Sequence, residues 1–342
     1  MRKFSSTGMV KFSNVFIRDV VLRRLGVRDA DVVVGPGVGE DAAVVKIDGK
    51  YLATHVDPVT GSSNLLGWLA IHVAANDVAT RGIRPRWFLV TLIMPMGSGD
   101  DEVAGIMKQV NDALIELNAT LVGGHTEKSD AVTRPIAVVT AIGVGDRYVR
   151  TGGLRVGDVI VMTKYAALEA TSILASDFKD RLINVVGKEE LEEAMGLYRM
   201  VSVVKEALSA VDYASSMHDP TEGGVLQGLI EMAYSSGRRI IINEEDIPIL
   251  PVTRRILSVF NLDPLTVLSS GSLLIGVSED KASELISRLR SLGVNASVIG
   301  KVVNGEPGVV VRRGGLERYY RSDLTIPDGV IELWAGRMAN GV

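Results

Sequence analysis

The stretch GVGEDAAVV, Gly37 to Val45, sets two glycines, Gly37 and Gly39, directly ahead of the adjacent acids Glu40 and Asp41. An apolar run, Ala42 to Ile47, follows. Glycines let a backbone come close to a ligand and take positive φ. Carboxylates at a strand mouth hold hard cations such as Mg²⁺. The combination points to a seat for a metal-bound polyphosphate; taken alone it fits a glycine-rich turn with a solvated acid pair equally well. The stretch is not a P-loop, because GxxxxGK[ST] occurs nowhere in the chain. Nor is Gly35-x-Gly37-x-Gly39 a dinucleotide fingerprint, which needs a helix after its last glycine. Here Ala-Ala-Val-Val-Lys-Ile reads as a strand, and Pro36 sits among the glycines.

Upstream, Val15, Ile17, Val20, Val21, Leu22 and Leu25 fall at helical spacing and predict one amphipathic segment, stopped by Gly26. Around the opening stretch, strands are expected at 32–34, 42–47 and 51–55, with Asp48-Gly49 as a hairpin turn. Asp57 then lies at a strand C-terminus. A helix at 65–81 carries Asn76 and Asp77 inside its apolar sequence, and a continuous apolar strand follows at 86–94. A helix at 100–117 has acids at its positive N-terminus. A short strand at 120–122 runs into Gly123-Gly124-His125-Thr126-Glu127, and another strand spans 135–144.

The character changes near 145–153, where a second series begins. It reads as a strand at 158–163, helices at 166–176 and 188–210, then His218-Asp219-Pro220-Thr221-Glu222-Gly223-Gly224 before a helix to 236. Strands at 239–242, 272–277, 296–302 and 308–312 alternate with helices at 253–260 and 281–292. Mixed strands and helices twice over predict two α/β (α+β) domains, 1–150 and 151–342.

With 342 residues, 46% of them hydrophobic, the chain can bury two full cores. A net charge of −4 argues against nucleic acid or an anionic membrane as the main partner. The longest apolar runs are far too short to span a bilayer, and MRKFSSTGMVKF lacks the apolar core of a signal peptide. A cytoplasmic location is therefore expected. The absence of cysteine excludes disulfides, thiolate metal sites and cysteine nucleophiles together. With only two glutamines, Gln109 and Gln227, it also fits a thermophile.

Asp41, Asp57, Asp77 and Glu127 each sit by a strand end, a glycine turn or a polar interruption of an apolar helix. A buried carboxylate is costly unless paired or metal-bound; an exposed helix face would account for Asp77 as well. His125 and His218 lie beside acids in motif segments, and His55 falls near a strand mouth. His72, on the apolar face of its helix, reads as a satisfied structural histidine.

Taken together, GVGEDAAVV (37–45), THVDPV (54–59), AANDVATRGIRPRWFLVTLIMP (74–95), LVGGHTE (121–127), RVGDVIVMTK (155–164) and HDPTEGGV (218–225) resemble one superfamily in order. It contains aminoimidazole ribonucleotide (AIR) synthetase, thiamine-monophosphate kinase, selenophosphate synthetase and the hydrogenase maturation factor HypE. NDxxxxGxxPxxFL, Asn76 to Leu89, is the most specific piece. The resemblance implies an N-terminal sheet that forms a barrel across a homodimer and a C-terminal mixed α/β domain. It further implies ATP in the cleft between them, with Mg²⁺ held by Asp41, Asp57, Asp77 and Glu127. Gly37, Gly39, Asn76, Gly123, Gly124 and Thr126 would border the nucleotide, and Asp219 and His125 would serve the chemistry. Phosphoryl transfer of this kind needs charge neutralisation and positioning more than a covalent nucleophile.

HDPTEGGV and GGHTE lean toward the HypE-type branch. That branch ends in a reactive cysteine, whereas this sequence reads WAGRMANGV at its end and has no cysteine. The segment Tyr165-Ala-Ala-Leu-Glu-Ala-Thr also departs from the glycine-rich run typical after that strand. The reading is a HypE-like, ATP-using paralogue acting on an unidentified amide, carboxylate or phosphate acceptor, small or protein-borne. Thiamine-monophosphate kinase, AIR synthetase and a non-catalytic nucleotide-binding maturation subunit are the alternatives.

Overall fold

The structure, a computed structural model, describes residues 12–60 and 64–333. Residues 1–11 of the stretch read for a signal peptide, and the tail WAGRMANGV, lie outside them. The first sheet contains β1 (Val32–Val34), β2 (Ala43–Ile47), β3 (Lys50–Val59), β4 (Pro85–Pro95), β5 (Thr120–Ser129) and β6 (Ile136–Gly145). Their order is β1-β2-β3-β6-β4-β5, antiparallel throughout except for the parallel pair β4–β5. The β2–β3 hairpin turns at Asp48 and Gly49, both at positive φ (48° and 80°), as the Asp-Gly pair predicts. The helices Leu66–Thr80 and Asp100–Leu117 pack with this sheet in one core, which takes Phe88, Val90, Leu92 and Met94 from β4 and Ala137, Val139 and Ala141 from β6. Every residue of Leu66–Thr80 except Trp68 is buried. The opposite face exposes apolar Val56 and Leu89, and β5 is exposed along nearly its whole length.

The second sheet contains β7 (Asp158–Thr163), β8 (Ala214–His218), β9 (Arg239–Asn243), β10 (Leu274–Ser278), β11 (Ala296–Val303), β12 (Gly308–Arg313) and β13 (Leu316–Arg321). Its order is β13-β12-β9-β11-β7-β10-β8. β8 and β13 escaped the pattern reading because ASSMH and LERYYR show no apolar alternation. One core joins the two sheets, since Val78 and Ala79 of the first half cluster with Val161, Val203 and Ile275 of the second. No helix among the described residues is long and apolar enough to cross a membrane.

Two expectations change. Residues 15–25 form no continuous helix, but a short one, Asn14–Phe16, followed by a π-helical turn, Ile17–Val21. Val20, Val21 and Leu25 are exposed, while buried Asn14 donates from Nδ2 to the Leu324 carbonyl at 3.1 Å and from its backbone N–H to Thr325 Oγ1 at 3.1 Å. Tertiary anchoring at Asn14 replaces an apolar stripe. The expected helix at 188–210 is broken into Lys188–Met195, a 3₁₀ turn at Gly196–Met200 and Val204–Ala210. The cause is Asn76, whose Nδ2 donates to the Val201 carbonyl at 2.9 Å and whose Oδ1 accepts from Val203 N–H at 2.8 Å. Lys164 Nζ donates to the Met200 carbonyl at 2.9 Å and the Ser202 carbonyl at 2.5 Å. These bonds satisfy backbone groups that a helix would have used. The Asn76 side chain is thus committed to joining the two halves.

His72 is buried as expected, yet neither ring nitrogen makes a hydrogen bond among the described residues. Burial, with Lys164 adding its charge, lowers its pKa to about 4.

Replacing Asn76 with Ala strands two buried backbone groups, and chemical denaturation should show a loss of about 2–4 kcal/mol. His72 gives a pH signature. Its folded pKa lies below its unfolded one, so the unfolded chain binds more protons between about pH 6.5 and 4, and stability falls as pH falls. Relative to His72→Phe, the parent chain should lose about 3 kcal/mol more on going from pH 7 to 4. Equal pH slopes for the two proteins would contradict the neutral, buried imidazole.

Candidate functional site

Four separate segments deliver carboxylates to one cleft between the sheets. Asp41 ends the glycine turn before β2, Asp57 lies near the end of β3, Asp77 projects from the buried helix, and Asp219 follows the last residue of β8. The cleft has a volume of about 510 Å³ and is also lined by Gly37, Gly39, His55, Thr221 and Glu222. One oxygen each of Asp41, Asp77 and Asp219 lie within 4.8 Å of one another, as do ligand atoms of His55, Asp57 and Asp77. His55 Nε2 is 3.4 Å from Asp77 Oδ2.

The carboxylates are not equivalent. Asp41 is flanked by cations: Arg81 Nη2 lies 3.1 Å from Oδ2, and His218 Nδ1 hydrogen-bonds Oδ1. Burial alone would raise its pKa, but His218 and Arg81 hold it below the usual carboxylate value. His218 is held on its other side by Glu231, Nε2 to Oε2 at 3.0 Å. Burial works against the charged imidazole, yet Asp41 and Glu231 outweigh it and raise the pKa to about 10. Asp77 and Asp219 behave oppositely. Burial, reinforced for Asp77 by Asp219, Asp41 and Asp57, raises both well above the carboxylate range. Both carboxylate oxygens of Asp219 are buried and have no hydrogen-bond partner among the described residues. Buried oxygens in that condition, beside further carboxylates, are a donor set suited to a hard divalent cation.

Arg81 is the residue the pattern reading passed over. Its side chain is fully buried, with Nη1 on Glu40 at 2.6 Å and Nη2 on Thr151 Oγ1 at 2.6 Å as well as on Asp41. Glu40 also accepts from Thr151 N–H at 3.3 Å. Half of the conspicuous Glu40-Asp41 pair therefore ties the glycine turn to the start of the second half. The sequence signals were a charged residue at the end of a largely apolar helix and, for Glu231, a lone acid in GVLQGLIEMAY.

The structure separates the remaining expected residues. Gly39 (φ 79°) packs against the Gly224–Ser236 helix, where an added Cβ would lie 2.8 Å from the Glu231 carbonyl. Gly37 lines the cleft. Gly123, Gly124, His125, Thr126 and Glu127 do not join it, because β5 continues through them instead of ending at residue 122. Gly124 is needed there for strand spacing, since a Cβ would lie 1.9 Å from the Val90 carbonyl. Register fixes the faces: Asp57 pairs with buried Val139 and shares its side, whereas His125 and Glu127 pair with Thr91 and Ile93 on the opposite one. His125 Nε2 lies 3.2 Å from Glu127 Oε2, and both are exposed. Within one chain, Glu127 and His125 are not part of the acidic cleft.

The chain belongs to the AIR synthase related family: residues 39–145 match its N-terminal domain and residues 155–312 its C-terminal domain. A candidate hydrogenase expression/formation protein of Methanocaldococcus jannaschii is 28% identical over 88% of this chain and 90% of its own. Thiamine-monophosphate kinase of Pyrococcus abyssi is 26% identical over 81% of this chain and 86% of its own. The solved structure of hydrogenase maturation protein HypE in complex with ATP superposes with a TM-score of 0.70 at 22% identity, covering 92% of this chain and 96% of that one.

Mg²⁺ should raise the unfolding temperature of the wild-type chain, with a stabilisation of about 2.7 kcal/mol at a hundredfold excess over Kd. In metal-free buffer Asp219→Asn should be at least as stable as wild type, because a buried repulsion is relieved, and it should lose the Mg²⁺ response. An equal Mg²⁺ shift in both proteins would remove Asp219 from the site.

Proposed function

We propose that this chain is an ATP-dependent phosphoryl-transfer or ATP-hydrolysing enzyme, with the triphosphate seated in the acidic cleft. The observation that carries the reading is the convergence of Asp41, Asp77 and Asp219, from three separate segments, to within 4.8 Å beside the Gly37 turn. The HypE–ATP complex and the thiamine-monophosphate kinase among its relatives support it. Asp57, Asp77 and Asp219 would hold Mg²⁺, with Asp41 oriented toward it by Arg81 and His218. The bound cation supplies charge neutralisation for a triphosphate. Backbone N–H groups at Gly37 would meet phosphate oxygens. A scaffold that binds no nucleotide has no use for four converging acids, and ATP turnover by the purified chain separates the enzyme from a subunit that only binds Mg·ATP.

The acceptor in this reading is an amide, carboxylate or phosphate group of another molecule, in a hydrogenase-maturation-like setting. The chain has no cysteine, so it offers no thiol to carry a group through ATP-driven chemistry. The thiamine-monophosphate kinase reading stays as the second, on the likeness to the Pyrococcus abyssi enzyme. The working unit is a homodimer that covers the outward face of the first sheet, where Val56 and Leu89 are exposed. His125 and Glu127 stand on that face, so any part they take in a site is supplied across the interface.

Calorimetry should show at least a tenfold loss of Mg·ATP affinity in Asp57→Asn and Asp77→Asn; wild-type affinity in both sinks the assignment. Sedimentation should give twice the chain mass, and a monomer that hydrolyses ATP would reject the dimer. Expressed in a strain lacking its HypE-type factor, the chain should not restore active hydrogenase. Restoration would defeat the argument from the missing thiol.

A further inference from the structure

His55 and Asp57 stand two residues apart in β3, so the period of a strand gives both to the same face. Their ladder partners Ala141 and Val139 are buried on that side, and His55 and Asp57 line the cleft. Asp77 reaches them from the Leu66–Thr80 helix, which packs on β3. Ligand atoms of the three lie within 4.8 Å of one another. His55 Nε2 is 3.4 Å from Asp77 Oδ2, longer than a normal hydrogen bond. Two donors bound about 2.0–2.2 Å from one cation lie roughly 3–3.5 Å apart, and this pair already has that separation.

Asp219, only 2% exposed, lines the same cleft with both carboxylate oxygens unpartnered among the described residues. One of its oxygens lies within 4.8 Å of Asp41 and Asp77. Asp77 therefore belongs both to an all-oxygen donor set and to one that contains an imidazole. Among the described residues that line the cleft none is Lys or Arg, and His218 is held between Asp41 and Glu231. Positive charge has to enter with a ligand. The two donor types do not favour the same ion. Mg²⁺ takes oxygen ligands and keeps several waters. An imidazole nitrogen adds little for Mg²⁺ and much for Fe²⁺, Co²⁺ or Zn²⁺.

We propose that His55 is a nitrogen ligand to the cation held by Asp57 and Asp77, and that it tilts the cleft toward a divalent transition cation of the Fe²⁺-to-Zn²⁺ class and away from Mg²⁺. This rests on the reading of the cleft as a cation seat and names the ion that the β3 side selects. The His-x-Asp spacing suits a strand, which presents residues i and i+2 side by side, whereas a helix needs ligands three or four residues apart. Asp57 and Asp77 serve whichever ion binds; His55 sets the preference between ions. A plain His55–Asp77 ion pair, the structural alternative, gives no such preference.

Calorimetry on the full, nucleotide-free chain compares Co²⁺ with Mg²⁺ in the wild type, His55→Gln and His55→Ala. Loss of His55 should lower Co²⁺ affinity roughly ten- to a hundredfold in both variants and Mg²⁺ affinity less than about threefold. Proton NMR of the Co²⁺-loaded wild type should show the paramagnetically shifted ring resonances of a bound histidine, absent from both variants. The wild-type spectrum depends on no variant folding, and silence there overturns the proposal. So do shifted resonances retained in both variants, or equal losses of Co²⁺ and Mg²⁺ affinity. Mg²⁺ binding to the wild type with no preference for Co²⁺ sinks the proposal alone, whereas binding of neither cation defeats the cation reading of the cleft as well.

Discussion

Arg81 and His218 close on Asp41 from two directions, and most of the architecture is arranged around that buried triad. Arg81 emerges from the end of the helix that forms the first core. Through Glu40 and Thr151 it fastens the glycine turn to the start of the second half. His218 is the last residue of β8 and is braced by Glu231 from the following helix. A guanidinium with no exposed surface is tolerable only when its charge is matched, and removing one partner of such a pair costs about 3–5 kcal/mol. The two halves of the chain are therefore held in register by charge as well as by the shared apolar core.

That constraint divides the acids into two kinds. Glu40 and Glu231 are balanced by protein cations and serve as structure, while Asp41, held by Arg81 and His218, is balanced as well and still faces the cleft. Asp77 and Asp219 are buried next to them, Asp77 with His55 at 3.4 Å and Asp219 with no hydrogen-bond partner among the described residues, and burial first, then the neighbouring carboxylates, raise their pKa values. A site built this way gains most from a ligand that carries positive charge into the cleft, and a polyphosphate can follow only with such a cation. The cost of keeping Asp219 unpaired is borne by the surrounding packing, as is common where function and stability compete.

Much of this was legible in the sequence wherever the signal was local. Asp48-Gly49 gives its hairpin because both positions need positive φ. The apolar run around Asn76 and Asp77 gives a helix so buried that its polar residues had to be doing something. Asp41, Asp57 and Asp77 converge as their places at a glycine turn, a strand end and a polar interruption of an apolar helix suggested, and Asp219 joins them as the family resemblance implied. What failed depended on partners distant in the chain. Asn76 breaks a helix 125 residues away, which no propensity at 188–210 reveals. β5 runs to Ser129 instead of stopping at residue 122, and the period of two then puts Glu127 on the far face of the sheet. Arg81 and Glu231 look like ordinary surface charges until their contacts are seen.

The account stands on one claim, that the unbalanced acids of the cleft seat a divalent cation together with a triphosphate. Pulsed EPR of Mn²⁺ added with ATP to the full chain tests it most directly. The account predicts protein-bound Mn²⁺ with ³¹P coupling in the wild type, and loss of bound Mn²⁺ in the double variant Asp77→Asn, Asp219→Asn. Undiminished ³¹P-coupled Mn²⁺ in that variant, or none bound to the wild type, would contradict it.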